Sequence, residues 1–313
     1  MMKHRILQKG RLLPSLEQAL AIEYDVHLLD NEAEPDAWLA VHGAEFEGLA
    51  TSARYGADRA LIDALPNVKV ISSFGVGYET IDVAYAHRRG IQVGYTPDVL
   101  NDCVADTAFG LLMDVARGFS ASDRFVRRGD WLKGGFPLTT RVSGKRLGIL
   151  GLGRIGRVIA KRASGFDMEV RYHNRREIQG SGFGYEPTLK GLAEWADFLV
   201  IASAGGAETR KLVSAEVLDA LGPKGFLVNI SRGSVVDESA LVDALQNKRI
   251  AGAGLDVFEA EPQVPEALFA LDNVVLLPHV ASGTHETRQA MGELVFDNLK
   301  AFFTSGHVKV AVP

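Results

Sequence analysis

The sequence predicts an α/β protein with two doubly wound domains, each built on a parallel β-sheet. Three observations lead to this prediction. The chain has 313 residues, whereas a single domain usually spans about 100–200 residues. Short apolar runs rich in β-branched residues alternate with helical patterns along the chain, which is typical of βαβ units. A glycine-rich turn at 151–156 also follows one apolar run and precedes a helical pattern.

Two series of apolar runs define the predicted strands. The first series lies in the first hundred residues, at 26–29, 48–51, 68–72 and 91–93. Helical patterns at 16–23 and 57–65 separate these runs, and Ser15 is the expected N-cap of the first helix. The second series lies at 147–150, 168–173, 198–202, 226–230, 253–257 and 274–277, with helices at 154–163 and 238–246. Each series is predicted to form one parallel sheet.

Two longer helical patterns join the predicted domains. The first covers 98–117, with Pro97 before it and Gly118 after it, as expected at the start and end of a helix. The second covers 287–303 and is expected to return to the first domain. The predicted domains are therefore 1–97 together with 287–313, and 98–286 as an insertion between them.

The composition argues against several classes of protein. The 39 acidic and 34 basic residues give a net charge of −5, whereas a nucleic-acid partner requires a basic surface. No apolar run approaches the roughly 18 residues of a membrane span, and the N-terminus lacks the apolar stretch of a signal peptide. Cys103 is the only cysteine, which fits a reducing compartment. We expect a cytoplasmic protein that acts on a small molecule.

The glycine-rich turn predicts a dinucleotide site. Gly151, Gly153 and Gly156 form the pattern G-x-G-x-x-G between a predicted strand and a predicted helix. In such a turn the first glycine allows a tight bend and the second lets a pyrophosphate approach the backbone. The third lets helix and strand pack closely, while the helix N-terminus supplies N–H groups and a positive dipole.

The end of the next predicted strand favours NADP over NAD. NAD-binding domains place an acidic residue about 20 positions after the turn to bond the ribose 2′-hydroxyl, whereas NADP-binding domains prefer arginine. Here the segment carries Asn174, Arg175 and Arg176. A guanidinium can bind the 2′-phosphate with two hydrogen bonds. The alternative is a solvated basic turn with no ligand.

Polar groups follow three later strands of the second series. Arg232 follows the run at 226–230, an acidic segment at 256–262 follows the next run, and His279 follows the last run. Open α/β sheets bind their ligands at the carboxyl ends of strands. Reduction of a 2-oxo acid requires these three kinds of group. Arginine binds the carboxylate, histidine donates a proton, and a carboxylate favours the charged histidine.

At this point the sequence resembles a known family, the D-isomer-specific 2-hydroxyacid dehydrogenases, over essentially the whole chain. The resemblance rests on SFGVGYETID at 73–82, GLGRIG at 151–156, NISRGSVVDESAL at 229–241, AGLDVFEAEP at 253–262 and PHVASGT at 278–284. It implies a flavodoxin-like substrate domain, a Rossmann cofactor domain and a homodimer formed through the cofactor domains. No metal, nucleic-acid or membrane partner is expected.

The resemblance also implies roles for individual residues. Arg232 would bind the substrate carboxylate and carbonyl, Glu261 would orient His279, and His279 would be the acid–base residue. Val76, Gly77 and Ser282 would contact the substrate. Asp256 would bond the nicotinamide carboxamide. The other expected cofactor contacts are Gly151, Gly153, Arg154, Ile155, Gly156, Asn174, Arg175, Arg176, Ser203, Thr209 and Val104.

The branch of the family is the finest prediction. The segment ASAGGAETRKLV at 202–213 resembles the adenine-side loop of NADPH-dependent hydroxypyruvate and hydroxyphenylpyruvate reductases, with Ser203 and Ala204 in place of Cys-Pro. We expect an NADPH-dependent reductase of hydroxypyruvate or glyoxylate. Alternatives are a bulkier substrate such as hydroxyphenylpyruvate, a non-enzymatic NAD(H)-sensing scaffold, and a hydrolase of the adenosylhomocysteine type. The loops expected to select the substrate lie at 74–78, at 99–102 and around Phe136.

Overall fold

The computed structural model describes residues 3–313, which fall into two compact units. One unit contains the residues up to Leu100 together with Gly283–Pro313, and the other contains Asn101–Ser282. The assignment of substrate binding to the first unit and cofactor binding to the second stays a proposal. Within the described residues, no helix combines the length and apolar character needed to cross a membrane.

The first unit has one parallel sheet of five strands. The strands are β1 Arg5–Gln8, β2 Asp25–Leu28, β3 Gly48–Ser52, β4 Val70–Phe74 and β5 Gln92–Gly94. Their order is β2-β1-β3-β4-β5, which is the flavodoxin-like order. The helices are α1 Pro14–Glu23, α2 Pro35–His42, α3 Arg59–Ala64, α4 Val83–Arg88 and the C-terminal helix His285–Ser305. The C-terminal helix packs on β4, where the Ser72 hydroxyl donates to the Val295 carbonyl at 3.0 Å.

Several details of the first unit differ from the prediction. Helices α2 and α4 were not predicted. Strand β1, which lies between β2 and β3, was missed because its apolar core is only two residues long, Ile6 and Leu7, although both are completely buried. The N-cap prediction for Ser15 was wrong. Helix α1 begins two residues earlier than predicted, at Pro14, whose fixed backbone suits the first helical position, and no side chain caps it.

The second unit has one parallel sheet of seven strands. The strands are β6 Arg146–Leu150, β7 Glu169–His173, β8 Gly184–Tyr185, β9 Phe198–Ile201, β10 Phe226–Asn229, β11 Gly252–Leu255 and β12 Val274–Leu276. Their order is β12-β11-β10-β9-β6-β7-β8, so the order reverses between β6 and β9. This is the Rossmann arrangement, in which ligands bind at the carboxyl ends of the strands near the reversal. The predicted fold class is confirmed in both units.

Six helices complete the second unit. They are α5 Asn101–Arg117, α6 Phe119–Arg127, α7 Arg154–Ala163, α8 Leu189–Trp195, α9 Ala215–Leu221 and α10 Glu238–Gln246. Helix α5 begins three residues later than predicted, because Asp98 adopts a left-handed φ of 70° that interrupts the helix. Gly118 ends α5 as predicted, with a φ of 64°, but α6 follows it directly. Helix α5 packs against β10, β11 and β12.

Candidate active site

The predicted site residues of the second unit lie mostly at one edge of its sheet. The glycine-rich turn follows β6, residues 174–176 follow β7, Ser203 and Thr209 follow β9, and Arg232 follows β10. Asp256 and Glu261 follow β11, and His279 and Ser282 follow β12. Val104 is the exception, because it lies buried in the first turns of α5. The parallel strands therefore bring the predicted cofactor and catalytic groups to the same edge.

The glycine-rich turn has the geometry of a phosphate-binding turn. Gly151 has a φ of 100°, and a Cβ there would lie 2.6 Å from the Ser203 nitrogen. A Cβ on Gly156 would lie 2.1 Å from the Gly151 carbonyl oxygen, so helix α7 approaches the turn closely. Gly153 faces open space, and no side chain caps the helix that starts after it. The first N–H groups of α7 are thus available to an anion, and the turn fits a dinucleotide.

Asn174 contacts the glycine-rich turn, and Arg175 contacts the loop that follows β9. The Leu152 N–H donates to Asn174 Oδ1 at 2.8 Å, so Asn174 holds the turn itself. The Arg175 guanidinium forms an ion pair with Glu208 in the adenine-side loop, and its side chain is 85% exposed. Arg176 is exposed as well. Both arginines therefore lie at the strand end where NADP-binding domains bind the ribose 2′-phosphate.

The remaining predicted cofactor residues lie around the same turn. Arg154 and Ile155 form the start of α7, where Arg154 is exposed and Ile155 is half-buried. The Thr209 hydroxyl donates to the Ala204 carbonyl at 3.0 Å and closes the adenine-side loop. Among residues 3–313 the buried Ser203 hydroxyl oxygen finds no hydrogen-bond partner. It is therefore free to bond a polar atom of a molecule held at the turn.

His279 and Glu261 form the pair that the resemblance implies. His279 Nδ1 lies 2.7 Å from Glu261 Oε2, and the Phe258 N–H donates to Glu261 Oε1 at 3.0 Å. Both oxygens of the carboxylate are thus engaged. Of the two glutamates in this segment, Glu259 instead forms an ion pair with Arg210 at 2.7 Å. The structure therefore brings Glu261, and not Glu259, to the histidine.

The surroundings of Glu261 favour its charged form. Partial burial raises the pKa of the Glu261 carboxyl, but hydrogen bonds from His279 and the Phe258 N–H lower it. The positive charge of Arg232 lowers the pKa further, and the net pKa is below the ordinary value. At neutral pH, Glu261 is therefore an anion beside the imidazole, with Arg232 near enough to stabilise it.

His279 has an unusual backbone conformation, which Asp256 supports. Its φ is 54°, in the left-handed region that costs a non-glycine residue about 1–3 kcal/mol. Asp256 is completely buried, and its oxygens accept the N–H groups of Val280 at 2.7 Å and Ala281 at 3.0 Å. Burial raises the pKa of Asp256 above the ordinary value, and these two bonds only partly oppose the rise. Both carboxylate oxygens are thus bonded within the protein.

Arg232 is held by the strand end that precedes it. Asn229, the last residue of β10, donates through Nδ2 to the Arg232 carbonyl at 3.0 Å and accepts the Ser231 N–H at 3.1 Å. The Ser231 hydroxyl donates to the Ser203 carbonyl. The Arg232 side chain is half-buried, and one of its guanidinium nitrogens donates to the Ser231 carbonyl at 2.8 Å.

The predicted substrate residues of the first unit lie in a single loop. Val76 and Gly77 follow the carboxyl end of β4, where Val76 is half-buried and Gly77 is buried. The N–H of the preceding Gly75 donates to the Thr96 hydroxyl at 3.0 Å, which fixes the start of the loop. In the second unit, Ser282 is half-buried three residues after His279.

Sequence reasoning missed two polar contacts at this edge. From the sequence, no role was predicted for the side chain of Asn229 or for Glu208. A polar residue at the end of the apolar run FLVN was a usable signal for Asn229, because a buried amide must find hydrogen-bond partners. No pattern in the sequence pointed to the pairing of Glu208 with Arg175, since the two residues are 33 positions apart.

Comparison with known proteins shows the family of this chain. The family described as D-isomer specific 2-hydroxyacid dehydrogenase, NAD binding domain, matches residues 109–281. A hydroxyphenylpyruvate reductase from Plectranthus scutellarioides is 47% identical over 92% of both chains. A 2-ketogluconate reductase from Gluconobacter oxydans is 49% identical over 96% of both chains.

Solved structures agree with the sequence relatives. An NADPH-dependent glyoxylate/hydroxypyruvate reductase from Sinorhizobium meliloti, in complex with NADP and malonate, superposes with a TM-score of 0.93. That protein is 46% identical, and the match covers 99% of this chain and 97% of the other. The shared fold, the match to the family and relatives of this identity lead to one conclusion. The chain belongs to the D-isomer-specific 2-hydroxyacid dehydrogenase family.

Proposed function

We propose that this enzyme reduces a small 2-oxo acid, such as hydroxypyruvate or glyoxylate, to the D-2-hydroxy acid with NADPH. The observation that carries the proposal is the Glu261–His279 pair, at 2.7 Å, beside Arg232 at the carboxyl edge of a dinucleotide-binding sheet. An acid–base histidine with an ionised carboxylate partner and an anion-binding arginine suits a reaction on a substrate carboxylate and a neighbouring carbonyl.

The residues of the proposed site have different tasks. Arg232 binds the substrate carboxylate and polarises the carbonyl through charge-assisted hydrogen bonds. Glu261 orients His279 through the 2.7 Å contact between its Oε2 and the imidazole Nδ1. His279 donates its proton to the carbonyl oxygen as negative charge develops there. The turn at Gly151, Gly153 and Gly156 would hold a nicotinamide dinucleotide, whose chemistry would be hydride transfer to C2 of the substrate. Val76, Gly77 and Ser282 are proposed to hold the substrate, as the resemblance implies.

The choice of substrate rests on the relatives. Three of the similar proteins act, by name, on glyoxylate and hydroxypyruvate, on hydroxyphenylpyruvate and on 2-ketogluconate. We propose the first group because the Sinorhizobium enzyme, which superposes with a TM-score of 0.93, is named for glyoxylate and hydroxypyruvate. The second candidate is a bulkier 2-oxo acid such as hydroxyphenylpyruvate, which the 47% identical Plectranthus enzyme favours.

A panel of 2-oxo acids tests this function directly. With NADPH followed by its absorbance, glyoxylate and hydroxypyruvate should give the highest kcat/KM, above hydroxyphenylpyruvate and 2-ketogluconate. The product should have the D configuration by chiral chromatography. A higher kcat/KM for a bulky acid would favour the second candidate. Absence of turnover with every acid would favour the non-enzymatic scaffold.

The preference for NADPH is proposed to depend on Arg175 and Arg176. Loss of a charge-assisted bond costs about 1.5–3 kcal/mol, so Arg175→Ala should weaken NADPH binding about 10–150-fold. Binding of NADH, which lacks the 2′-phosphate, should change little. Titration of both cofactors by nicotinamide fluorescence measures this difference, and an equal loss for NADPH and NADH would contradict the proposal.

Two variants sharpen the cofactor experiment. Arg249→Ala removes an arginine that is paired with Asp219 and Asp243 before the start of β11, so it should leave both affinities unchanged. Glu208→Gln removes the anion that competes with the phosphate for Arg175. The variant should bind NADPH with the same affinity as the wild type or slightly more tightly, because exposed ion pairs contribute little free energy.

A homodimer is proposed to form through the region around α6. This helix has no buried side chain, and exposed apolar residues follow it, with Trp131 69% exposed and Leu132 94% exposed. Exposed apolar groups of this kind mark interaction surfaces. Leu132→Asp should therefore shift the sedimentation coefficient from dimer to monomer. Phe269→Asp, at another exposed apolar side chain, is the matched control, and equal behaviour of the two variants would speak against this surface.

A further inference from the structure

Two neighbouring strands of the second unit end in buried polar residues. Asn229 closes β10 and is 1% exposed, and Asp256 directly follows β11 and is completely buried. A buried carboxylate or amide destabilises a protein unless it is hydrogen-bonded. The hydrogen-bond partners of Asn229 and Asp256 therefore show which parts of the protein these two side chains stabilise.

Asp256 bonds every backbone N–H from His279 to Ala281. Its carbonyl oxygen accepts the His279 N–H at 2.9 Å, and its two carboxylate oxygens accept the N–H groups of Val280 and Ala281. These bonds stabilise the left-handed backbone of His279, whose φ is 54°. With the backbone fixed in this way, Nδ1 of His279 lies 2.7 Å from Oε2 of Glu261.

Asn229 bonds the turn that carries Arg232. Its amide donates to the Arg232 carbonyl and accepts the Ser231 N–H. The turn also contacts the loop that leads to Glu261, because a Cβ on Gly233 would lie 1.9 Å from the Phe258 carbonyl carbon. Only glycine allows this approach. Displacement of the Arg232 turn would therefore disturb the loop that holds Glu261.

The two buried residues are bonded to each other. The Asp256 N–H donates to the Asn229 carbonyl at 3.0 Å, which extends the pairing of β10 with β11 by one residue. We propose that Asn229 and Asp256 are positioning residues that act together: Asn229 fixes the turn of Arg232 and Asp256 fixes the turn of His279. This inference rests on the roles proposed above for Arg232 and His279, and it gives Asp256 a task in place of the expected nicotinamide contact, because both of its carboxylate oxygens accept backbone N–H groups.

Hydrogen–deuterium exchange tests the inference in the cofactor-free protein. In the unaltered enzyme, the amides of Val280 and Ala281 should exchange slowly, although Val280 is 42% exposed. Asp256→Asn replaces one of the two acceptor oxygens by an NH2 group, so one of these N–H groups loses its acceptor, and exchange there should become about 10–100-fold faster. Fast exchange of both amides in the unaltered enzyme would overturn the proposal without any variant.

Kinetics separate positioning from cofactor contact. Asp256→Asn should lower kcat for reduction by about 100-fold, the effect of misplacing a reacting group by about 1 Å, and leave the Kd for NADPH unchanged. Asn229→Ala should raise KM for the 2-oxo acid and lower kcat, because Arg232 is displaced. The double variant should lose less than the product of the two single losses, since the residues are coupled.

Asn273→Ala is the matched control. Asn273 donates to the Ala251 carbonyl at 3.2 Å at the opposite end of the same sheet, so its loss should lower stability but leave kcat and KM unchanged. A weaker Kd for NADPH with unchanged exchange in Asp256→Asn would overturn the inference in favour of a nicotinamide contact. If the unaltered enzyme turned over no 2-oxo acid, the proposed function would fail while the exchange result still decided the hydrogen bonding.

Discussion

His279→Ala should lower kcat for 2-oxo acid reduction by about 100–10,000-fold, which is the usual contribution of a general acid. The variant lacks the only group in the Glu261–His279 pair that can carry a proton to the substrate oxygen. Affinity for NADPH should be retained, because the turn after β6 and the residues after β7 are untouched. Steady-state rates with saturating cofactor and 2-oxo acid measure the loss.

Two controls isolate the chemical step in this variant. His87→Ala removes an exposed imidazole from α4 in the first unit and should leave kcat unchanged. Circular dichroism and nicotinamide fluorescence should show that His279→Ala is folded and binds cofactor. A loss smaller than tenfold in a folded, cofactor-binding variant would mean that another group donates the proton.

The architecture was predictable because it depends on local periodicity. Apolar runs alternating with helices predicted both sheets, and helices α7 and α10 have the predicted bounds. Strand β1 was missed because two apolar residues carry no detectable period. Helix α6 was missed because it directly follows Gly118, the glycine that ends α5.

The site was predictable to the level of residue types at strand ends. The spacing of Arg232, the acidic segment and His279 placed them at one edge, since parallel strands share their carboxyl ends. The residues alone did not distinguish Glu259 from Glu261, because both belong to the same exposed segment. That distinction needed either the family resemblance or the structure, where Arg210 pairs with Glu259 and His279 pairs with Glu261.

The hydrogen bonds of Asn229 and Asp256 could not be predicted from the sequence. They join a strand end to a backbone turn that is 24 residues away for Asp256 and Val280, and no side-chain pattern encodes backbone acceptors at such a separation. A polar residue at the end of an apolar run indicates that its side chain has hydrogen-bond partners in the folded protein. Only the fold shows that the partners are the turns of Arg232 and His279.

Glu261→Gln should lower the rate of reduction at neutral pH by about 100-fold or more, since exchange of the orienting carboxylate of a hydrolase triad for an amide costs about 10,000-fold. The folded-state pKa of Glu261 is below the ordinary value. Its charge is therefore present above the ordinary carboxyl range and is lost only as the pH falls through that lowered pKa. At neutral pH the wild-type carboxylate is ionised, and the variant lacks this charge.

The pH dependence follows from the lowered pKa of Glu261. Protonation removes the charge of Glu261 as the pH falls through this lowered pKa, so the rate of reduction by the wild type should fall on the acid side. Glu261→Gln cannot take up that proton, and its profile should lack this acidic fall. Profiles of kcat/KM against pH for both enzymes measure the difference. Glu259→Gln is the matched control, because Glu259 pairs with Arg210 at 2.7 Å and should leave the profile in place. If the Glu261→Gln profile coincided with that of the wild type, the charge of Glu261 would play no part in the reaction.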